Sequence, residues 1–391
     1  MMLKRFWHRS PLDGLGWRGC ADVATQRMRT SAAARWGARY PFAGGVLLRI
    51  LGRLLWLLVA LEQVLILARA LSLRGTATAR LYSECLMTGA APLEAYVWRA
   101  LYGCSHPLPV RSANLVFACL GGPEGHALLA DKLASTEHLR SHGCAVAPVH
   151  GTLSSPMDDL AWLEDAALAS DLFLKPRRGS GGRDAFSLRK RGAGWRLNGR
   201  EVSATALLAR LSQITQQGDI LVQSELLAAR ELADLAASGR APVLRISTAS
   251  LPNSSAFVHS AMLTIAVPGG NPHNFLNGSL YAVVNLATGC LSQAVSLAAP
   301  GVRHGQLGCN GAQIEGRSLP GFAAALDMTL KAAALVPPLP LIHWDLILTD
   351  TGPVILEGNS MGNWILASLP GYMRLEACEL VPLLACWEPT E

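Results

Sequence analysis

Residues 343–359 restrict the fold of this chain more than any other stretch. Two runs of strand-forming residues, 343–349 and 353–359, flank Asp350-Thr351-Gly352, the pattern of a β-hairpin. A three-residue loop with Gly352 in the left-handed position puts Thr349 opposite Pro353, and counting outward then puts Asp345 opposite Glu357. Side chains alternate along a strand, so Asn359 and His343 share that face. Two carboxylates directly opposed across a hairpin repel each other unless something compensates them. A hard divalent cation does so. Asp345, Glu357 and the amide oxygen of Asn359 are ligands that Mg2+ takes while keeping positions open for phosphate oxygens. The competing expectation is a surface hairpin whose carboxylates face water.

Upstream, an apolar run ends in Phe173-Leu174-Lys175-Pro176. A lysine inside an apolar strand must find an anionic partner or lose its charge. A Gly-rich loop follows, with Gly179, Ser180, Gly181 and Gly182 leaving backbone N–H groups free to approach a polyphosphate. It is not a Walker loop, since no Gly-Lys-Ser/Thr closes it. Arg177, Arg178 and Arg183 flank the loop and are expected to be solvated. Further on, an apolar strand over 218–223 runs into Ser224-Glu225-Leu226. In the strand 243–248, Val243, Arg245 and Ser247 share one face and Leu244 and Ile246 the other. An arginine placed so grips a terminal phosphate as a forked donor, or pairs with a carboxylate.

Lys175, the Gly loop, Arg245 and the Trp344-Asp345…Glu357-Gly358-Asn359 hairpin, in that order, resemble the ATP-grasp superfamily. Within it the chain looks most like the sugar-transfer-associated family of polysaccharide and exopolysaccharide gene neighbourhoods. The resemblance spans about residues 130–363. It implies an α+β fold in which two lobes clasp ATP and Mg2+, with Mn2+ as the alternative ion. It also implies a ligase that activates a carboxylate as an acyl phosphate for attack by an amine or other nucleophile. The rivals are a phosphotransferase using the same cleft and a nucleotide-binding accessory protein of a membrane-associated glycan assembly. Lys175 and Arg245 are then the catalytic pair, offsetting charge that develops in phosphoryl transfer. Lys132, in Asp131-Lys132, is expected to reach a nucleotide phosphate or else to face solvent. Gln223 and the backbone around Ser224 and Leu226 are expected at the adenine edge, with Glu225 or Glu231 on the ribose. Asn274 lies in His273-Asn274-Phe275, where relatives commonly show Asp-Asn-Phe. It touches phosphate or acceptor, or is turn chemistry alone, and the missing acid bears on substrate identity. The implied partners are a small-molecule or glycan-precursor carboxylate and an amine-type acceptor.

The rest of the chain divides by composition. Residues 1–80 hold thirteen Lys/Arg against Asp13, Asp22 and Glu62, so the net charge of +6 over 391 residues is concentrated there. We expect a basic arm over 1–44, a Leu-rich helical region over 45–109 and the catalytic body over 110–391. The arm lacks the continuous apolar core of a signal peptide and is expected to be poorly ordered. Residues 46–73 read as one helix whose longest uncharged run, 54–61, is eight residues. That falls short of the ~20 a membrane span needs. The helix packs on the body or lies on an anionic membrane surface or glycan assembly. A further helix is expected over 92–102, a tight strand-to-helix turn at Gly121-Gly122, a helix over 131–141 and strands over 145–149 and 281–285. Helices are also expected over 158–170 and 321–334, and an apolar segment from 364 onward that caps the core. His304 lies in a long polar loop, as a base or a solvated side chain. Nine cysteines without ligand spacing fit reduced thiols and a cytoplasmic setting, and no nucleic-acid-binding module is recognisable.

Overall fold

The computed structural model describes residues 46–88, 90–103, 120–154, 160–179, 184–192, 194–269, 278–360 and Trp387. It shows two antiparallel sheets flanked by helices, preceded by three N-terminal helices. Expectations for the arm, for Ser180, Gly181, Gly182, Arg183 and Asn274, and for the C-terminal cap apart from Trp387 lie outside the described residues.

Three helices come first: α1 (Val46–Leu71), α2 (Gly75–Thr88) and α3 (Pro92–Tyr102). The Leu-rich stretch is helical as expected, and α2 falls within the helical region expected over 45–109. Val59, Ala60, Val64 and Leu67 of α1 bury themselves against Leu81 and Cys85 of α2 and Ala95 of α3. The Tyr96 hydroxyl donates to the Ala298 carbonyl at 3.1 Å, tying this bundle to the body. Among the described residues, no helix is long and apolar enough to cross a membrane.

The body starts with α4 (Pro123–Ala130) and α5 (Lys132–Ser141). The Gly121-Gly122 turn is structural, as expected: the Gly122 amide donates to the Pro338 carbonyl where the chain enters α4. The smaller sheet comprises β1 (Val149–Leu153), β2 (Leu172–Pro176), β3 (Phe186–Arg191), β4 (Gly194–Leu197), β5 (Arg200–Val202) and β6 (Ile220–Ser224). Its order is β1-β6-β2-β3-β4-β5. The helices α6 (Ala161–Ala169) and α7 (Ala204–Thr215) cover one face. Leu172, Leu174, Ile220 and Val222 bury there with Leu163, Leu207 and Leu211. Period-2 alternation turns Lys175 and Gln223 to the opposite face.

The larger sheet has β7 (Val243–Ala249), β8 (Phe257–Ala266), β9 (Ser279–Val283), β10 (Leu341–Thr349) and β11 (Gly352–Asn359), in the order β11-β10-β7-β8-β9. Helix α8 (Phe322–Leu335) packs on its apolar face, where Leu244, Ile246, Trp344 and Leu346 lie. Its polar face carries Arg245, Ser247, His343 and Asp345. Two chain crossings join the sheets. At the first, Ala145 and Ala147 bond to Ile355 at the edge of β11 before the chain enters β1. The strand expected over 145–149 therefore begins later, at Val149, and Val146 makes only a parallel bridge to Ile355. At the second, residues 225–230 leave β6 and the Arg230 amide donates to the Asp350 carboxylate in the hairpin turn.

Candidate active site

The hairpin brings Asp345 opposite Glu357, by a route different from the expected one. Thr349 pairs with Gly352 rather than Pro353, so the loop is two residues, Asp350 and Thr351. The missing residue is restored further along, where the register shifts between Asp345 and Leu346 and leaves Leu356 as a β-bulge. Gly352 has the expected positive φ, +116°. The bulge also changes the face of β11. Ile355 points into the core, and Glu357, two residues on, points the other way. Gly358 is required by close approach, since a Cβ there would come within 2.7 Å of the Trp344 ring.

On the polar face of this sheet, the Asn359 amide nitrogen lies 3.4 Å from Asp345 Oδ2 and 3.4 Å from Glu357 Oε1. Arg245 donates to Asp345 through both prongs, Nε to Oδ1 at 2.7 Å and Nη2 to Oδ2 at 2.8 Å. Compensation of the opposed carboxylates is thus built into the protein. Arg245 serves Asp345, and Lys175 Nζ approaches Glu357 at 3.6 Å while donating to the Leu356 carbonyl at 3.1 Å. Burial pushes the Glu357 carboxyl up, but Lys175, Lys132, the Asn359 hydrogen bond and Arg245 together outweigh it. The group is held below the usual glutamate range. Behind Asp345, His343 bonds to the Ser247 hydroxyl at 2.8 Å. Burial, then the charges of Arg245 and His259, lower its pKa to about 3 and keep the ring neutral.

Two buried lysines face this polar set. Lys175 stands on β2, 6% exposed, and Lys132 opens α5 with its ammonium on the Gly179 carbonyl at 2.6 Å. Burial lowers the Lys132 pKa, Glu357 raises it and Lys175 lowers it, so these three groups share one electrostatic environment. Lys132 is therefore not solvent-facing. Asp131 caps α5 through the Ala134 amide and takes Arg177 on both oxygens and Arg178 on one. Those arginines, expected to be solvated, fasten the base of the Gly loop to the helix that carries Lys132. Arg177, led by its hydrogen bonds, holds the Asp131 carboxyl at about pKa 2. Lys175, Lys132, Arg245, Asp345, Glu357 and Asn359 thus come together in one constellation.

The remaining predicted residues lie along β6 and the crossing after it. Gln223 is 1% exposed, and its amide nitrogen has no hydrogen-bond partner among the described residues. A donor buried without a partner is costly, which fits a ligand edge meeting it. Ser224 bonds instead to His150 and Ser170. Glu225 is held by Arg189 at 2.9 Å, Leu226 is half-buried and Glu231 is exposed. His304 lies outside this cluster, its backbone bridged to Ala294. The charge of Asp131 and the arginines that hold it were the part that sequence reasoning missed. An Asp directly before an amphipathic helix was the available signal.

The sequence profile of the family described as sugar-transfer associated ATP-grasp matches residues 123–371, well over half of the chain. The chain belongs to this family. Its α+β body of two antiparallel sheets is the ATP-grasp fold. No curated protein sequence matches. Among solved structures, the chain is similar to the ATP complex of D-alanine–D-alanine ligase from Bacillus anthracis at 12% identity and a TM-score of 0.36, covering 62% of this chain and 58% of that one. It is similar to L-amino acid ligase from Bacillus licheniformis at 15% identity and a TM-score of 0.42, covering 72% and 53%. It is also similar to the biotin carboxylase–β-γ-ATP complex from Campylobacter jejuni at 9% identity and a TM-score of 0.44, covering 70% and 50%. The chain spans a little over half the length of these structures. What it acts on has to be read from its own site.

Two carboxylates and an amide on one polar face make an oxygen-rich set that fits Mg2+ or Mn2+. The neighbouring pair of buried ammonium groups fits the phosphates of ATP.

Proposed function

We propose that this protein is an ATP-dependent ligase that joins a carboxylate to an amine or other nucleophile during the assembly of a glycan precursor. The observation that carries this reading is the approach of Lys175, buried on β2, and Lys132, buried at the start of α5, to Glu357 on β11. Asp345, Glu357 and Asn359 would hold the divalent ion, which supplies charge neutralisation at phosphate oxygens. Lys132 and Lys175 neutralise and position the polyphosphate, while Gln223 offers its unpartnered amide to the adenine edge. Arg245 orients Asp345 and adds positive charge where the transferred group develops negative charge. The substrate carboxylate oxygen attacks the terminal phosphorus and ADP leaves. The nucleophile then attacks the acyl carbon, phosphate departs and the amine gives up a proton. The glycan assignment rests on the family description alone, and the setting we propose is the cytoplasm.

The test is ADP release against a panel of uronic acids, amino acids and carboxylated glycan precursors, with and without hydroxylamine. A ligase releases ADP and inorganic phosphate with its product and yields a hydroxamate in hydroxylamine. A stable phosphorylated product with no free phosphate would overturn ligation in favour of phosphoryl transfer in the same cleft.

A further inference from the structure

Among the described residues, helix α1 leaves one apolar stripe uncovered. Val59, Val64 and Leu67 are buried in the three-helix bundle, but Leu58, Leu61, Leu65 and Ile66 are 66%, 39%, 54% and 62% exposed. Exposed Glu62 and Arg69 lie within the same stripe, seven residues apart and so on one side of the helix. Beside it runs a groove of about 690 Å3 between α1 and α2, lined in part by Leu61, Leu65, Arg69, Leu73 and Tyr82. Exposed leucines at three- and four-residue spacing on a surface helix mark a face that another apolar surface covers.

We propose that a second copy of this chain covers it, with the two α1 helices packed antiparallel about a twofold axis between Leu65 and Ile66. The stripe is self-complementary under that operation. An antiparallel twofold at this point sets Glu62 of one copy at the height of Arg69 of the other, and the reverse, giving two opposite-charge pairs. Leu65 and Ile66 straddle the axis, so Leu65 of one copy meets Ile66 of the other. Leu61 of one copy comes level with Ala70 of the other. Leu58 reaches just past the end of the other copy's α1, near its groove. Apolar residues meet apolar ones and each charge meets its opposite. A bilayer fits this face less well. Glu62 would point into an anionic surface, and the stripe carries no net charge to draw it there.

Sedimentation of the full chain at micromolar concentration, with Glu62→Arg, Arg69→Glu and the double exchange, tests the pairing. The expected result is a wild-type dimer, association weakened at least tenfold toward monomer by either single reversal, and a dimer restored in the double variant. Restoration also excludes misfolding as the cause of the single effects. A monomeric wild type, single reversals without effect, or a double variant that stays monomeric would each overturn the proposal. So would flotation of a monomer with phosphatidylglycerol vesicles but not with phosphatidylcholine vesicles, which would assign the stripe to a membrane.

Discussion

Two ion pairs line the cleft, and they differ in kind. Arg245 and Asp345 belong to adjacent strands of one sheet and meet through two short, nearly equal contacts, with side chains 20% and 11% exposed. Lys175 and Glu357 belong to different sheets and meet once at 3.6 Å, with Lys175 also leaning on a backbone carbonyl. The first pair closes its charge within one layer, so replacing Asp345 takes from Arg245 a two-pronged contact and replacing Arg245 leaves the largely buried Asp345 carboxylate without it. The second spans the gap between lobes. Its lysine has donors to spare, and its carboxylate is the most open of the four groups. A sheet builds the acid site, and the space between sheets presents it.

The largest effect is expected at the acids. Glu357→Gln should lower Mg2+-dependent ATP turnover by roughly a hundredfold or more while leaving the fold intact. Asp345→Asn should lower it as far, and in addition cost about 3 kcal/mol of stability, because Arg245 loses its partner. Turnover assays beside urea unfolding read both. Normal turnover in the double variant would remove the carboxylates from the chemistry. Equal stability of the two single variants would erase the distinction between the pairs.

The basic partners sharpen the comparison at a smaller scale. Lys175→Ala should weaken ATP binding by about 1–3 kcal/mol, the range for one hydrogen bond from a charged group. Arg245→Ala should act mainly on kcat, since its guanidinium already serves Asp345 and orients it. Nucleotide titration and steady-state kinetics separate the two. Should Arg245→Ala bind ATP poorly yet turn over normally at saturation, Arg245 contributes uniform binding instead.

Period-2 alternation sufficed to place Asp345, Glu357, Asn359, Arg245 and Lys175, because strand faces follow from sequence once a register is assumed. The observed turn differs from the expected one yet yields the same register at the acids. A three-residue turn and a two-residue turn plus a bulge give the same Asp345–Glu357 pairing, and nothing in 350–357 distinguishes them. The strands β3 to β5 and β8 went unnoticed. Phe186–Arg191 carries three basic residues and Gly194–Leu197 only four positions, too little for a periodic signal. Arg177 and Arg178 look like loop charges in one dimension. Only the fold brings Asp131 to them from more than 40 residues away.

That clamp gives a pH prediction of intermediate size. The Asp131 carboxyl titrates near 2 when folded, held down chiefly by its hydrogen bonds from Arg177, and near 3.8 in its unperturbed state. Its contribution, about 2 kcal/mol, is therefore complete above pH 4 and lost as the pH falls through 2, because the unfolded chain binds the proton first. Urea unfolding at pH 7, 4 and 3 should show this fall in the wild type. Asp131→Asn should be less stable at pH 7 and flatter below pH 4. An unchanged acid slope in the variant would mean that the clamp does not hold the loop base.

The smallest effect is expected furthest from the cleft. Every residue assigned to nucleotide or metal lies beyond residue 130, so removing residues 1–44 should leave ATP affinity unchanged. Extending the deletion through Leu73 removes α1 and uncovers Leu81, Cys85 and Ala95, which α1 buries. At roughly 25 cal/mol per Å2 of apolar surface, exposing such a face costs enough to draw the protein into aggregates. Static light scattering and ATP titration on the two truncated proteins check both halves. A loss of affinity on removing 1–44 would bring the arm to the cleft. A stable, non-aggregating protein lacking 1–73 would show that the helical bundle, unlike the two sheets, contributes no shared core to the body.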